Sequence, residues 1–134
     1  VIDIAEIIRK AMERIGCGSA VESDMDVHSP ICISLKSLPE IFVETGEDGV
    51  RLWSKLPCDG VAQLGPVAAD LLEYFLPRQS PAFVCGRALL TWTDDGLVLH
   101  GVVSTEYVRD TDRFVDALEL FFADLCTTQD MLTQ

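Results

Sequence analysis

Three stretches of the chain carry side chains that could do covalent chemistry. In "DMDVHSPICI", from Asp24 to Ile33, the residues Asp26, His28 and Ser29 offer an acid, a base and a hydroxyl side by side. Cys58 is a thiol in the loop Leu56-Pro57-Cys58-Asp59-Gly60, and His100 sits in an apolar run with Val98, Leu99, Val102 and Val103. A serine nucleophile needs a base within hydrogen-bond reach and a third group that orients the base, and these usually converge from separated parts of a fold. One short loop seldom provides that geometry. There is also no G-x-S-x-G and no glycine turn beside Ser29 to supply oxyanion donors, and Pro30 holds Ser29 extended. Asp, His and Ser commonly bond nearby backbone groups in turns, so the cluster reads as a structured turn leading into a strand.

The other two candidates fare no better as reactive centres. A reactive thiol needs electropositive surroundings, and the neighbour of Cys58 is Asp59. No further ligand stands at a workable spacing from His100, which reads as an edge or interface residue of a strand. Phosphate-cradling glycine motifs are absent, and the acid pairs Glu47-Asp48 and Asp94-Asp95 belong to turns rather than to acid–base catalysis. The expectation is a protein that is not an enzyme and uses no cofactor or metal. A hydrolase or thiol enzyme using His28 with Ser29 or Cys58 is the alternative from a different class.

The whole chain narrows the field further. Its 134 residues fit one domain spanning 1–134, large enough to bury a core without metal or disulfide staples. Ten Lys and Arg against 22 Asp and Glu give a net charge of −12, which opposes binding to nucleic acid or to an anionic membrane surface. The composition is nevertheless 49% hydrophobic with a mean hydropathy of +0.26, so some apolar surface is expected to serve an interface. Five cysteines, Cys17, Cys32, Cys58, Cys85 and Cys126, form no C-x-x-C pair and read as reduced thiols in a reducing cytosol. No leader pattern is visible and no apolar run approaches the ~18–20 residues of a membrane span, so the protein is expected to be soluble.

The elements that must position these residues follow from periodicity. Ile4, Ile7, Ile8, Ala11, Met12 and Ile15 recur at helical spacing, with Asp3 as a cap and Gly16 as a stop. Alternation around Ile31 to Leu35, Ile41 to Glu44 and Val50 to Lys55 gives three consecutive antiparallel strands. A second helix covers 66–76, between Gly65-Pro66 and Pro77. Two further strands, Phe83 to Trp92 and Leu97 to Ser104, flank the hairpin turn Asp94-Asp95-Gly96. A last helix runs from Asp112 to Cys126, capped by Asp110, Thr111 or Asp112. The order α-β-β-β-α-β-β-α predicts an α+β two-layer domain with helices packed on one face of an antiparallel sheet. Phe42, Trp53 and Trp92 then stand opposite the core partners Ile41 with Val43, Leu52, and Leu89 or Thr91. Large aromatics on a sheet face left uncovered favour a partner there.

Particular residues add a second line. The segments from Ile2 to Cys17, "DVHSPICISLKSLPEI" from Asp26 to Ile41, and Val50-Arg51-Leu52-Trp53 resemble the InvB/SpaK group of type III secretion chaperones, the class IB chaperones of bacterial injectisomes. "VRDTDRFVDALELFF" from Val108 is similar in pattern to the family's last helix, whereas the loop at Pro77 and Pro81 departs from it. The resemblance implies an acidic homodimer of the bacterial cytoplasm without enzymatic activity. Such a dimer binds the N-terminal regions of several effectors in extended form and keeps them competent for export, with the export ATPase as a further partner. On that basis Ile7, Ala11, Phe42, Val50, Leu52 and Trp53 are expected at the effector-binding surface, and Leu71, Leu72, Phe75, Leu90 and Trp92 at the dimer seam. A dimeric adaptor of the same fold with another client is the nearer alternative.

Overall fold

The computed structural model describes residues 4–16, 31–46 and 49–134. Asp26, His28 and Ser29, and the Asp3 cap, lie outside the described residues.

Helix α1 (Ile4–Ile15) places Ile8, Ala11 and Met12 at 0% exposure, the inward side of the amphipathic pattern. Five antiparallel strands follow: β1 (Ile31–Ile33), β2 (Ile41–Gly46), β3 (Gly49–Lys55), β4 (Leu89–Thr93) and β5 (Gly96–Val103). Their order across the sheet is β1-β2-β3-β5-β4, so the β4–β5 hairpin docks onto β3 through its second strand. Between β3 and β4, helix α2 (Val61–Leu64) passes through one 3₁₀ turn into α3 (Ala68–Phe75). A short helix, α4 (Thr105–Val108), precedes the long α5 (Thr111–Leu132). The α5 cap is Asp110, whose Oδ1 accepts a hydrogen bond from the Asp112 amide at 3.1 Å, satisfying one orphan donor of the first turn.

Strand registers divide the sheet into an inner and an outer face, because directly opposed residues point the same way. On the inner face Ile33, Ile41, Ser54, Leu99 and Leu90 form a row through all five strands. These residues join Ile8, Met12, Phe114, Leu118, Phe121 and Leu125 around one core, with α1 lying against α5. The buried hydroxyl in that row is not orphaned, since Ser54 Oγ donates to the Glu40 carbonyl at 2.8 Å. The outer face carries a parallel row, Cys32, Phe42, Trp53, His100 and Leu89.

The α+β architecture, the strand count and the helix-covered face agree with the sequence expectation, and three details differ. The middle helical segment starts at Val61, not 66. The last helix continues to Leu132, because Leu125, Thr128 and Leu132 extend its buried stripe beyond Cys126. The expected strand from Phe83 to Trp92 is broken. Phe83 makes an isolated bridge to Val103, and the chain then turns through a 3₁₀ turn at Val84–Gly86 in which Cys85 (φ 68°) and Gly86 (φ 85°) are left-handed. Gly101 permits this arrangement. A side chain there would lie 2.9 Å from the Phe83 ring, so its bare Cα leaves Phe83 room to pack on β5.

Candidate partner-binding surfaces

Among the described residues, and apart from Val61 on α2, exposed apolar groups gather on two surfaces. The first is the outer sheet face. Phe42 and Trp53 are directly opposed on β2 and β3 and stack with ring centroids 4.3 Å apart at 21°, a favourable offset arrangement of two large rings. His100 continues the row on β5, its Nε2 paired with Thr91 Oγ1 at 2.6 Å. Burial, with the Arg51 guanidinium adding to it, holds the His100 imidazole below its ordinary value, so the ring favours its neutral form. At the other end of the row Cys32 Sγ donates to Glu40 Oε2 at 3.2 Å. Beside the stack a shallow cleft of about 430 Å³ is lined by Glu44, Arg51, His100 and Val102.

The second surface runs from α3 to the sheet edge. On α3, Leu71 and Phe75 are buried while Leu72 and Leu76 are 60% and 61% exposed. A helix that packs on one core needs a single apolar stripe, and α3 has two adjoining ones. Val84 and Trp92 are also exposed, as is Leu89 at the end of the outer row. The stretch from Pro77 to Thr93 contains Arg78 and Arg87 and no acid, in a chain with 22 acids. A cleft of about 250 Å³ lies between it and α5, lined by Arg78, Phe83 and Arg87 on one side and Leu120 and Asp124 on the other.

The residues expected at each surface divide by depth. Of the effector set, Phe42 and Trp53 are half-buried on the outer face and Ile7 is partly buried against the core, whereas Ala11, Val50 and Leu52 are core residues at 0%, 5% and 0% exposure. Of the seam set, Leu72 and Trp92 are exposed, Leu90 is partly buried, and Leu71 and Phe75 are buried within the protomer. The face assignment of Trp92 needs correcting. Trp92 is opposite Leu97, which is 3% exposed, so it lies on the inner, helix-covered side at the edge of the sheet. Leu89 and Thr91, taken as core partners, instead share the outer face with Phe42 and Trp53. Leu76, Val84 and Leu89 were missed. Leu76 was visible as the residue four after Leu72 on the same helical stripe, but the side taken by Leu89 depends on a register that β4 sets only after the turn at Cys85.

Neither surface contains a reactive constellation. Cys58 is fully buried and its Sγ points to the Gly60 carbonyl at 3.6 Å. Among the described residues no three His, Cys, Asp or Glu side chains come together as metal ligands, and no helix is long and apolar enough to cross a membrane.

Known proteins share this framework. The model of the Invasion protein B family matches residues 16–103. The Surface presentation of antigens protein SpaK of Salmonella typhimurium is 31% identical over 122 residues, covering 90% of this chain and 89% of the relative. SpaK of Salmonella typhi matches with the same identity and coverage. A solved structure, the heterodimeric complex ExoU-SpcU from the type III secretion system of Pseudomonas aeruginosa, contains a chain with the same fold. It aligns with a TM-score of 0.59 and 23% identity over 93% of both chains. The chain therefore belongs to the Invasion protein B (InvB/SpaK) family, the effector-binding, non-enzymatic chaperones of type III secretion.

Proposed function

We propose that this chain works as a homodimer in the bacterial cytoplasm, where it holds the N-terminal region of secreted effectors in extended form and keeps them competent for the export apparatus, the export ATPase included. The observation that carries the reading is the outer row of the sheet. Its central aromatic stack and the exposed Leu89 at its end are apolar enough to have been a second core, and remain open to a client. An extended segment loses ordering entropy when it binds, so affinity has to come from a long wrapped contact rather than one deep pocket. A sheet face with apolar side chains spaced across several strands suits that, and a short added strand at a sheet edge would lengthen the contact. Ile7, Phe42 and Trp53 are the effector contacts that reach the surface, while Ala11, Val50 and Leu52 support them from beneath.

The seam is assigned to the other surface, on grounds of charge. Two copies at −12 each repel, and self-association is easiest where the chain is apolar and free of acids. The stretch from Pro77 to Thr93 meets that requirement, with Arg78, Arg87 and no acid, and Leu72, Leu76 and Trp92 are exposed beside it, while α3 itself carries Asp70 and Glu73. Leu71, Phe75 and Leu90 back it from the core.

Co-expression with N-terminal effector fragments, followed by light scattering on the purified material, tests both parts. The expected product has the mass of two 14.7 kDa protomers plus one protease-protected fragment. A monomer that retains no fragment would overturn the reading. A one-to-one complex with a fragment would keep the client and remove the homodimer, matching the heterodimeric description of the ExoU-SpcU structure.

A further inference from the structure

Asp124 is the one buried carboxylate among the described residues, 4% exposed in the middle of α5. Its Oδ1 accepts two hydrogen bonds from distant parts of the chain, from the Tyr74 hydroxyl at 2.9 Å and from Arg78 Nε at 2.7 Å. The Arg78 guanidinium also lies over the Tyr74 ring, 4.8 Å from its centroid, and the Tyr74 ring packs edge-on against Phe75. From the far end of the same loop, Arg87 Nη2 donates to the Leu76 carbonyl at 3.2 Å. The last turn of α3 and both ends of the loop after it are thus tied to one another and, through Asp124, to the body of the protomer.

A carboxylate 4% exposed and held by a tyrosine and an arginine is desolvated as well as paired, and burial pushes the Asp124 carboxyl above the ordinary carboxylate value against the pull of those hydrogen bonds. A buried ionic group of this kind can often be replaced by apolar residues without loss of stability, and its use then lies in holding one geometry. What it holds here is specific. Tyr74 lies about half a turn round the helix from Leu72 and Leu76, so its bond to Asp124 grips α3 from the side opposite the two leucines whose side chains face solvent.

We infer that Asp124 is a positioning residue, which fixes the last turn of α3 so that Leu72 and Leu76 present one rigid apolar surface to a second copy of this chain. The inference rests on the homodimer reading and goes beyond it, since it assigns seam geometry to a residue that is itself buried away from the surface. Around a two-fold axis the stretch from Pro77 to Thr93 of one copy, with Arg87 and no acid, can meet Asp70 and Glu73, the exposed acids of α3, on the other.

The test is sedimentation velocity on a dilution series of the full chain and of Asp124→Asn, with hydrogen exchange on peptides within 68–80 and within 41–55. Asp124→Asn is expected to weaken self-association by about tenfold or more, to speed exchange in 68–80, and to leave exchange in 41–55 as in the parent. Self-association within about twofold of the parent would overturn the inference while leaving the dimer in place. A parent chain that stays monomeric at every concentration would remove the dimer reading and this one with it. Should Asp124→Asn fail to fold, Tyr74→Phe, which deletes one hydroxyl, gives the same decision: weaker self-association supports the assignment and an unchanged constant overturns it.

Discussion

Two rows of side chains cross the same five strands back to back, and they have different fates. The inner row, Ile33, Ile41, Ser54, Leu99 and Leu90, is closed over by helices and its central members are fully buried. The outer row, Cys32, Phe42, Trp53, His100 and Leu89, has comparable apolar content but ends in a leucine 42% exposed. Apart from Ser54, the inner row uses aliphatic side chains that share one core with α1 and α5. The outer one uses flat rings, a neutral imidazole and a thiol, which offer area and polarisability without requiring one shape of neighbour. The difference teaches that the two faces of one sheet are built for different neighbours, and among the described residues helices cover the inner one.

The contrast can be broken most forcefully from the inside. Phe121→Ala removes a fully buried ring from the layer that closes the inner row and is expected to cost about 3–5 kcal/mol, seen as a lower urea midpoint with the slope unchanged. On the α3 surface, Leu72→Asp with Leu76→Asp should leave secondary structure intact and convert a dimer to monomers over the micromolar range, as read by sedimentation. Trp53→Asp in the outer row should abolish co-purification of an effector fragment. Trp53→Ala should cost only about 1–2 kcal/mol of stability, the stacking plus part of its burial. If Trp53→Ala destabilises as much as Phe121→Ala, the outer row is core and the comparison fails.

The smallest effects are in pH, and the two faces should respond with opposite sign. His100 in the outer row is held below its ordinary value by burial and by Arg51. Its contribution is therefore present above the ordinary histidine range and lost as pH falls through the lowered value. Asp124, behind the inner layer, is held above its ordinary value by burial. Here the native state binds its proton more readily than the unfolded chain, so stability is lost as pH rises through the raised value. Thermal midpoints from pH 4 to 8 should show His100→Gln flattening the loss toward low pH and Asp124→Asn flattening the loss as pH rises above the ordinary carboxylate range. Identical profiles for parent and variants would refute both assignments.

Much of the framework was legible in the chain because burial imposes periods. The alternation Ile41, Val43 against Phe42, Glu44 reproduces the two faces of β2, and Phe114, Leu118, Phe121 and Leu125 reproduce the inner stripe of α5. Resemblance in the segment up to Trp53 pointed to the family. What escaped the reading depends on tertiary geometry. A non-glycine residue, Cys85, takes a left-handed conformation and ends an apolar run that would otherwise continue as a strand. That turn sets which side Leu89 and Trp92 face, and no local pattern reports it. Asp124 reads as an ordinary polar position in an amphipathic helix, and its meaning depends on Tyr74 and Arg78, far away in sequence. The Asp26, His28 and Ser29 cluster lies outside the described residues.

The packing of α1 against α5 sets a schedule for synthesis. Helix α1 leaves the ribosome before the helix it packs against, with all five described strands made between them. Until α5 emerges, the apolar stripe of α1 and the inner row of the sheet are uncovered, and the unfinished chain is as prone to aggregate as an unfolded client. A nascent chaperone of this build is, for that interval, a substrate in its own right. Stalling translation before Thr111 should therefore recruit the general folding machinery of the cell, and stalling beyond Leu132, with α5 outside the exit tunnel, should release it.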